Sequence, residues 1–269
     1  MRLPLHQIDA FAKRPFEGNP AAVMPLDTWL PDTLLQAIAM ENNLAETAFI
    51  VKEPSGWRIR WFTTLAEIDL CGHATLASAW LILNELEPEA PSVAFQSRSG
   101  LLTVERESNE LVLDFPARSS TPAPELTDLL EKGLGLRPLE VYFARDVMAI
   151  LPDEVSVRAV RPDYAVLARL PALGTLITAP GNSHDVVSRC FFPGDGMPED
   201  PVTGSAHCMI IPYWARRFGK THLRALQASP RGGELRCELV QDRVRMWGNA
   251  VKVMEGHFLL PDSLLDGSA

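Results

Sequence analysis

The sequence predicts an α+β protein of two pseudo-symmetric domains, each a curled, mostly antiparallel sheet (a half-barrel) around one central buried helix. Three observations lead there. Strand-like runs recur along nearly all of the 269 residues. The segment ATLASAWLIL (74–83) is helical, with only Thr75 and Ser78 polar, and a helix that is apolar all round has to be enclosed. Finally, EIDLCGHATLASAWLILNEL (67–86) and EDPVTGSAHCMIIPYWARRF (199–218) share one order: acids, a glycine, a small polar residue or histidine, then an apolar helix. Each lies amid strands, which is the pattern of an internal duplication.

In chain order, LPLHQIDAF alternates apolar with polar and reads as a strand, and KRPFEGNP as a turn cluster around Gly18, Asn19 and Pro20. AAVMPL is a second short apolar run. Pro31 and Asp32 open a helix, DTLLQAIAMENN, with Asp32 as its N-cap. AETAFIV and WRIRWFTT are strands joined by KEPSG, and VAFQSRSGLLTVERESNELVLDFPA is a run of strands turning at Ser99-Gly100 and Ser108-Asn109. ARSSTPAPE (117–125) shifts to Ser, Thr and Pro and reads as a linker, so the first domain spans 1–117 and the second 118–253. Beyond it, ELTDLLEKGLG is a helix stopped by glycine. LEVYFARDVMAIL, YAVLARL, GTLITAP and VVSRCFF are strand-like, PGDGMPEDPVTGSAH is a loop, CMIIPYWARRFG is helical, and the remainder reads as two or three strands.

Composition narrows the function. With 25 basic against 34 acidic residues and a net charge of −9, the chain lacks the basic footprint of a nucleic-acid binder. No run approaches the roughly 18 apolar residues that span a bilayer, and Gln7 and Asp9 interrupt any signal-peptide pattern at the N-terminus. Cys71, Cys190, Cys208 and Cys237 are scattered, without a CxxC, and read as reduced thiols. The expectation is a cytoplasmic protein with neither nucleic acid nor membrane as partner.

Both enclosed helices begin just after a glycine, at Gly72-His73 and Gly204-Ser205. A helix N-terminus presents unpaired N–H groups and the positive end of a dipole, which suit a carboxylate or a developing oxyanion. The same glycines also read as plain tight turns. Glu46, in NLAETAFIV, shares one strand face with Ala48 and Ile50 and is expected to look inward. Burial of a carboxylate favours its neutral form, and a carboxyl so poised can take and give a proton. Read alone, Glu46 is first a solvated strand-edge glutamate, as most glutamates are. Gly194 and Gly196 do not complete a dinucleotide fingerprint, because Glu199 stands at the third glycine position. Ser183, His184 and Asp185 are adjacent and cannot form a triad. His184, Asp185, His207 and Cys208 lack metal-site spacing, so no metal is expected.

HQIDAFAKRPFEGNPAAV, NLAETAFI, DLCGHATLASAW and FFPGDGMPEDPVTGSAH, in this order over nearly the whole chain, closely resemble the signature blocks of the PhzF-like family, isomerases of the phenazine-biosynthesis type with a diaminopimelate-epimerase-like fold; QASPRGGEL also fits. The resemblance implies an active site between the domains, C-terminal strands (about 254–269) returning to the first domain, a homodimer, and cofactor-independent proton transfer between carbons of a small carboxylated metabolite. It makes Glu46 the acid–base residue, matches His73 and Asp200 to the family's histidine and aspartate, and matches Gly72, Gly204 and Ser205 to the groups that hold the substrate carboxylate. Asn19 and Gln227 are further carry-overs. Epimerases of this fold oppose two cysteines. Here Cys71 falls near the first position, while Asp200 or a neighbour stands at the second, and Cys208 lies further into its helix. One glutamate moving a proton on one face is therefore expected. The alternatives are a Cys71-assisted epimerase and a non-catalytic small-acid-binding protein.

Overall fold

The computed structural model describes residues 1–195 and 197–261. The chain divides into two compact units: unit 1 takes Met1–Phe16, Pro20–Leu113 and the chain from Asn249, and unit 2 takes Glu17–Asn19 and Asp114–Gly248.

The first stretch of chain forms β1 (Arg2–Ala10), β2 (Asn19–Leu26), α1 (Asp32–Asn42), β3 (Glu46–Glu53), β4 (Gly56–Phe62), β5 (Glu67–Ile68), α2 (Gly72–Leu81), β6 (Ser92–Ser97), β7 (Gly100–Glu107) and β8 (Glu110–Pro116). Next come β9 (Thr121–Pro122), α3 (Thr127–Leu134), β10 (Glu140–Phe143), β11 (Val147–Ile150), α4 (Glu154–Ala159), α5 (Tyr164–Leu167), β12 (Thr175–Pro180), β13 (Val186–Phe192), β14 (Met197–Asp200) and α6 (Gly204–Phe218). The chain ends with β15 (His222–Gln227), β16 (Gly233–Val240), β17 (Arg243–Gly248) and β18 (Ala250–Leu259), the last pairing antiparallel with β1. Of the C-terminal return expected at 254–269, residues 262–269 lie outside the described residues.

The internal duplication shows in the pairing order. In unit 1, β2 runs parallel to β3, β3 antiparallel to β4, and β4 antiparallel to the short β5 but parallel to β6; β7 and β8 follow antiparallel. In unit 2 the series β11 to β17 repeats this member for member, with β14 as the short strand. Parallel neighbours need a crossover, usually helical. Accordingly α1 joins β2 to β3 as α4 and α5 join β11 to β12, and α2 precedes β6 as α6 precedes β15.

Each sheet carries apolar side chains on both faces. On one face of β3, Phe49 and Val51 pack with Leu35, Ile38 and Ala39 of α1, and the Phe49 ring meets Phe62 edge-on at 5.6 Å. By alternation Glu46, Ala48 and Ile50 point to the other face, where α2 packs against β3. In α2 every residue from Gly72 to Ala79 is buried, as its composition requires. In unit 2, Leu130, Leu134, Val157 and Leu167 of the helices pack with Val147, Ile177 and Phe191 of the sheet.

Several local expectations are corrected. YAVLARL is not a strand but the helical turn α5, because the Asp163 carboxylate accepts from Val166 N–H at 3.1 Å and caps it. LEVYFARDVMAIL, by contrast, is strand as expected, in two pieces, β10 and β11, folded back at 144–146. In PGDGMPEDPVTGSAH only part is loop, since Met197–Asp200 pairs with β13 and α6 already starts at Gly204. Asn19 and Pro20 begin a strand. Asp32 is the first helical residue and makes no cap; its carboxylate instead meets Arg60 at 2.9 Å. The Ser/Thr/Pro stretch 117–125 is ordered, with β9 paired to β10 and the Ala117 and Arg118 N–H groups bonded to Asp242 and Cys208 carbonyls. The last bond has a cause in sequence: Pro212 lies inside α6 and has no N–H to give to Cys208 O, four residues earlier, so Arg118 N–H fills that place at 2.7 Å. All four cysteines are free and buried, and among the described residues no helix is long and apolar enough to cross a membrane.

Candidate active site

Unit 1 brings Glu46, Cys71, Gly72 and His73 together. Glu46 is the first residue of β3, on the face that meets α2; Cys71 is the extended N-cap of α2, and Gly72 and His73 form its first turn. The Thr75 hydroxyl donates to the Cys71 carbonyl at 2.5 Å and the Thr75 N–H to the same oxygen at 3.1 Å, fixing that turn. His73 Nε2 lies 3.1 Å from Glu46 Oε2, with side-chain exposures of 5% and 16%. Its Nδ1 lies 3.5 Å from Cys71 Sγ. The imidazole thus stands between a thiol and a carboxylate, one ring nitrogen to each.

Electrostatics assign the protons. Burial alone would lower the His73 pKa, but the acidic neighbours Cys71 and Glu46 outweigh it and hold it well above 6.5. Burial first, and then the Glu46 charge, push the Cys71 thiol up, against the partial relief offered by His73. Both directions draw on Glu46, whose charge favours the protonated imidazole and disfavours a thiolate at Cys71. Glu46, Cys71 and His73 each offer a metal-ligating atom within 4.8 Å of the others. Because the two ring nitrogens are divided between the other two groups, the arrangement suits proton transfer better than convergence of three ligands on one ion.

Unit 2 brings Asn19, Asp200, Thr203 and Gln227 together around the start of α6. Asp200 Oδ1 accepts from Asn19 Nδ2 at 2.7 Å and Oδ2 from the Thr203 hydroxyl at 2.5 Å. Buried Gln227 donates to the Asp200 carbonyl at 2.7 Å and accepts from Thr203 N–H at 2.8 Å. Asn19 reaches this group because 17–18 are tied down: Arg231 donates to the carbonyls of Gly18 and Glu17, and Gly18 N–H to Gly232 O. Gly18 and Gly232 both take positive φ, at 67° and 68°, which a side chain would resist. Gly204 is the first residue of α6, and the Ser205 hydroxyl accepts from Arg145 at 3.2 Å. Sequence reasoning misses Thr203, although it stands three residues after Asp200 inside the EDPVTGS block, whereas Arg145 carries no sequence signal, since only the fold brings it to Ser205.

Residues that resist a functional reading are spent elsewhere. Burial drops the His207 pKa to about 4, and Nδ1 faces the Thr203 carbonyl at 2.8 Å. Burial pushes the Cys208 thiol up to about 12. His184 sits against Ser183 and Glu234, whereas Asp185 pairs with Lys220.

The chain as a whole is similar to known proteins. A Pseudomonas aeruginosa protein described as an uncharacterized isomerase is 52% identical over 261 residues, 97% of this chain and 100% of its own length. The crystal structure of a phenazine biosynthesis protein of the PhzF family from Enterococcus faecalis is 45% identical and superposes with a TM-score of 0.94 over 97% of this chain and 100% of its own. A probable proline racemase from Agrobacterium radiobacter shares the fold, with a TM-score of 0.63 at 10% identity over 97% of this chain and 94% of its own. The relatives make the chain an isomerase, and its fold is the epimerase-like one. The phenazine biosynthesis-like (PhzC-PhzF) family model matches residues 8–256, and the chain belongs to that family.

Proposed function

We propose that the enzyme moves a proton between two carbons of a small carboxylated metabolite, with Glu46 as the single acid–base residue and no cofactor in the step. The Glu46 carboxylate takes a proton from a carbon acidified by a neighbouring carbonyl or double bond. The electron pair released shifts along the conjugated system, and the protonated Glu46 returns the proton at the other end, so the substrate is rearranged with atoms and charge conserved. His73, as imidazolium, pairs with the carboxylate and polarises the substrate; Asp200, oriented by Asn19 and Thr203, positions a polar group; the N–H groups at Gly72, Gly204 and Ser205 receive the carboxylate.

One observation carries the reading: a largely buried carboxylate 3.1 Å from a histidine in the first turn of a buried helix. The duplication adds support for a single base, because the strand that corresponds to β3 in unit 2 begins not with an acid but with the buried Thr175. The Cys71-assisted alternative draws on the 3.5 Å contact to His73 but requires a thiolate that burial and Glu46 disfavour. The test is a screen of small carboxylic acids for deuterium uptake from heavy water, followed by Glu46→Gln. Exchange should fall by about 10²–10⁴-fold, with the fold retained; exchange within tenfold of the unsubstituted enzyme removes Glu46 from the mechanism.

A further inference from the structure

A second charged group lies in unit 2, beside the start of α6. The turn between β10 and β11 carries Arg145 and Asp146, and Asp146 is fully buried. Arg145 wraps this carboxylate, Nε to Oδ1 and Oδ2 at 3.3 and 3.1 Å and Nη2 to Oδ2 at 2.8 Å, while Nη2 also reaches Ser205 Oγ at 3.2 Å. Arg118 Nη1 approaches the same carboxylate at 3.7 Å and is itself buried without a hydrogen-bond acceptor. Arg118 is anchored there because its N–H occupies the place left by Pro212 in α6. The group therefore holds two guanidiniums against one carboxylate, an excess of one positive charge in a chain of net charge −9.

A buried carboxylate needs one close cation to be compensated, and Arg145 already provides it with fork geometry. The second cation is surplus to that need. The Arg145 side chain remains 33% exposed, and its Nη1 hydrogens have no acceptor among the described residues. Its outward partner is Ser205, whose hydroxyl stands in the first turn of α6 where no acidic side chain is present. A planar, always-charged fork suits a compact oxyanion, a preference that a lysine or a neutral donor does not reproduce.

We infer that Arg145, backed by Arg118, is the residue that selects a carboxylate on the substrate, binding it at Ser205 through the uncommitted Nη1. The inference rests on the isomerase reading for the identity of the ligand, but not on Glu46. It makes the substrate class an acid in its ionised form, with amides and esters of the same skeleton rejected.

The experiment uses the full chain. Inorganic phosphate, as a simple oxyanion probe, is titrated into the unsubstituted protein, Glu46→Gln, Arg145→Gln and Arg145→Lys, following the Gly204 and Ser205 amides and the Arg145 guanidinium by NMR. An acid found to exchange and its carboxamide are then compared kinetically. Expected are equal phosphate affinity for the unsubstituted protein and Glu46→Gln, at least a tenfold loss in Arg145→Gln with Arg145→Lys between, and a rise in KM with kcat largely kept. The enzyme should favour acid over carboxamide at least tenfold, and Arg145→Gln should erase that preference. The inference is overturned if phosphate leaves the Arg145 and Ser205 signals of the unsubstituted protein unmoved, or if Arg145→Gln retains the preference. Should Arg145→Gln fail to fold, the guanidinium signal and the acid-to-amide ratio of the unsubstituted protein still decide. A Glu46→Gln protein that exchanges normally defeats the proposed base and leaves Arg145 untouched.

Discussion

Replacing Glu46 with glutamine perturbs two titrations at once, and both directions follow from distance. The carboxylate lies 3.1 Å from His73 Nε2. Two unit charges at that separation attract by about 5 kcal/mol at an effective dielectric of about 20. Glutamine removes this attraction while keeping shape and one hydrogen-bonding oxygen, so burial, which lowers the His73 pKa, is no longer outweighed as strongly. The Glu46 charge also raises Cys71, so its loss brings the thiol down too. The His73 imidazole signals should titrate at lower pH in Glu46→Gln, and Cys71 should react faster with iodoacetamide at a fixed pH. Stability follows by linkage. A histidine raised on folding contributes stability that is fully present below its ordinary value near 6.5 and is lost as pH rises through the folded value. Denaturant unfolding across pH 5 to 9 should show that loss in the unsubstituted protein and a flatter profile in Glu46→Gln. The folding cost should stay below the roughly 3–5 kcal/mol of an orphaned buried charge, because His73 can shed its proton. A His73 titration that stays fixed or moves upward refutes the ion pair and the proton assignment built on it.

Other substitutions probe neighbouring links. Cys71→Ala should keep solvent exchange within about tenfold, since catalysis by a neutral thiol is not required, and a loss beyond the roughly 10²-fold expected for an acid–base residue transfers the chemistry to sulfur. Gln227→Ala strands the Thr203 N–H and the Asp200 carbonyl, and urea unfolding should register a loss of about 1–3 kcal/mol. Pro212→Ala should gain far less than the ~3 kcal/mol that an interior proline usually costs a helix, because Arg118 already satisfies the Cys208 carbonyl; a full gain by urea unfolding would show that bond to be dispensable.

Much of this was legible in the chain. With only Thr75 and Ser78 polar, ATLASAWLIL foretold a buried α2, and alternation in ETAFIV placed Glu46 on the face of Ala48 and Ile50. Both helix starts, at Gly72 and Gly204, stand where the glycines marked them. Other features depended on an adjacent strand, on one capping residue or on partners remote in sequence. The pairing of β14 with β13 and the capping of α5 are decided by tertiary neighbours and a single aspartate, so their Pro/Gly-rich or apolar sequences misled. Asn19 read as a turn residue because its role, a hydrogen bond to Asp200 far along the chain, leaves no local pattern. Arg145 and Arg118 were two basic residues among 25 until the fold set them around one aspartate.

The way the two units share the chain has a consequence for cutting it. Severing the backbone after Leu113 would leave Asn19 on one fragment and Asp200, whose carboxylate it binds, on the other. The same cut would strand β18 away from β1. Each piece would lack a strip of its neighbour's architecture, so neither should be soluble and native alone, whereas co-expression of the two should restore a complemented enzyme by reciprocal exchange.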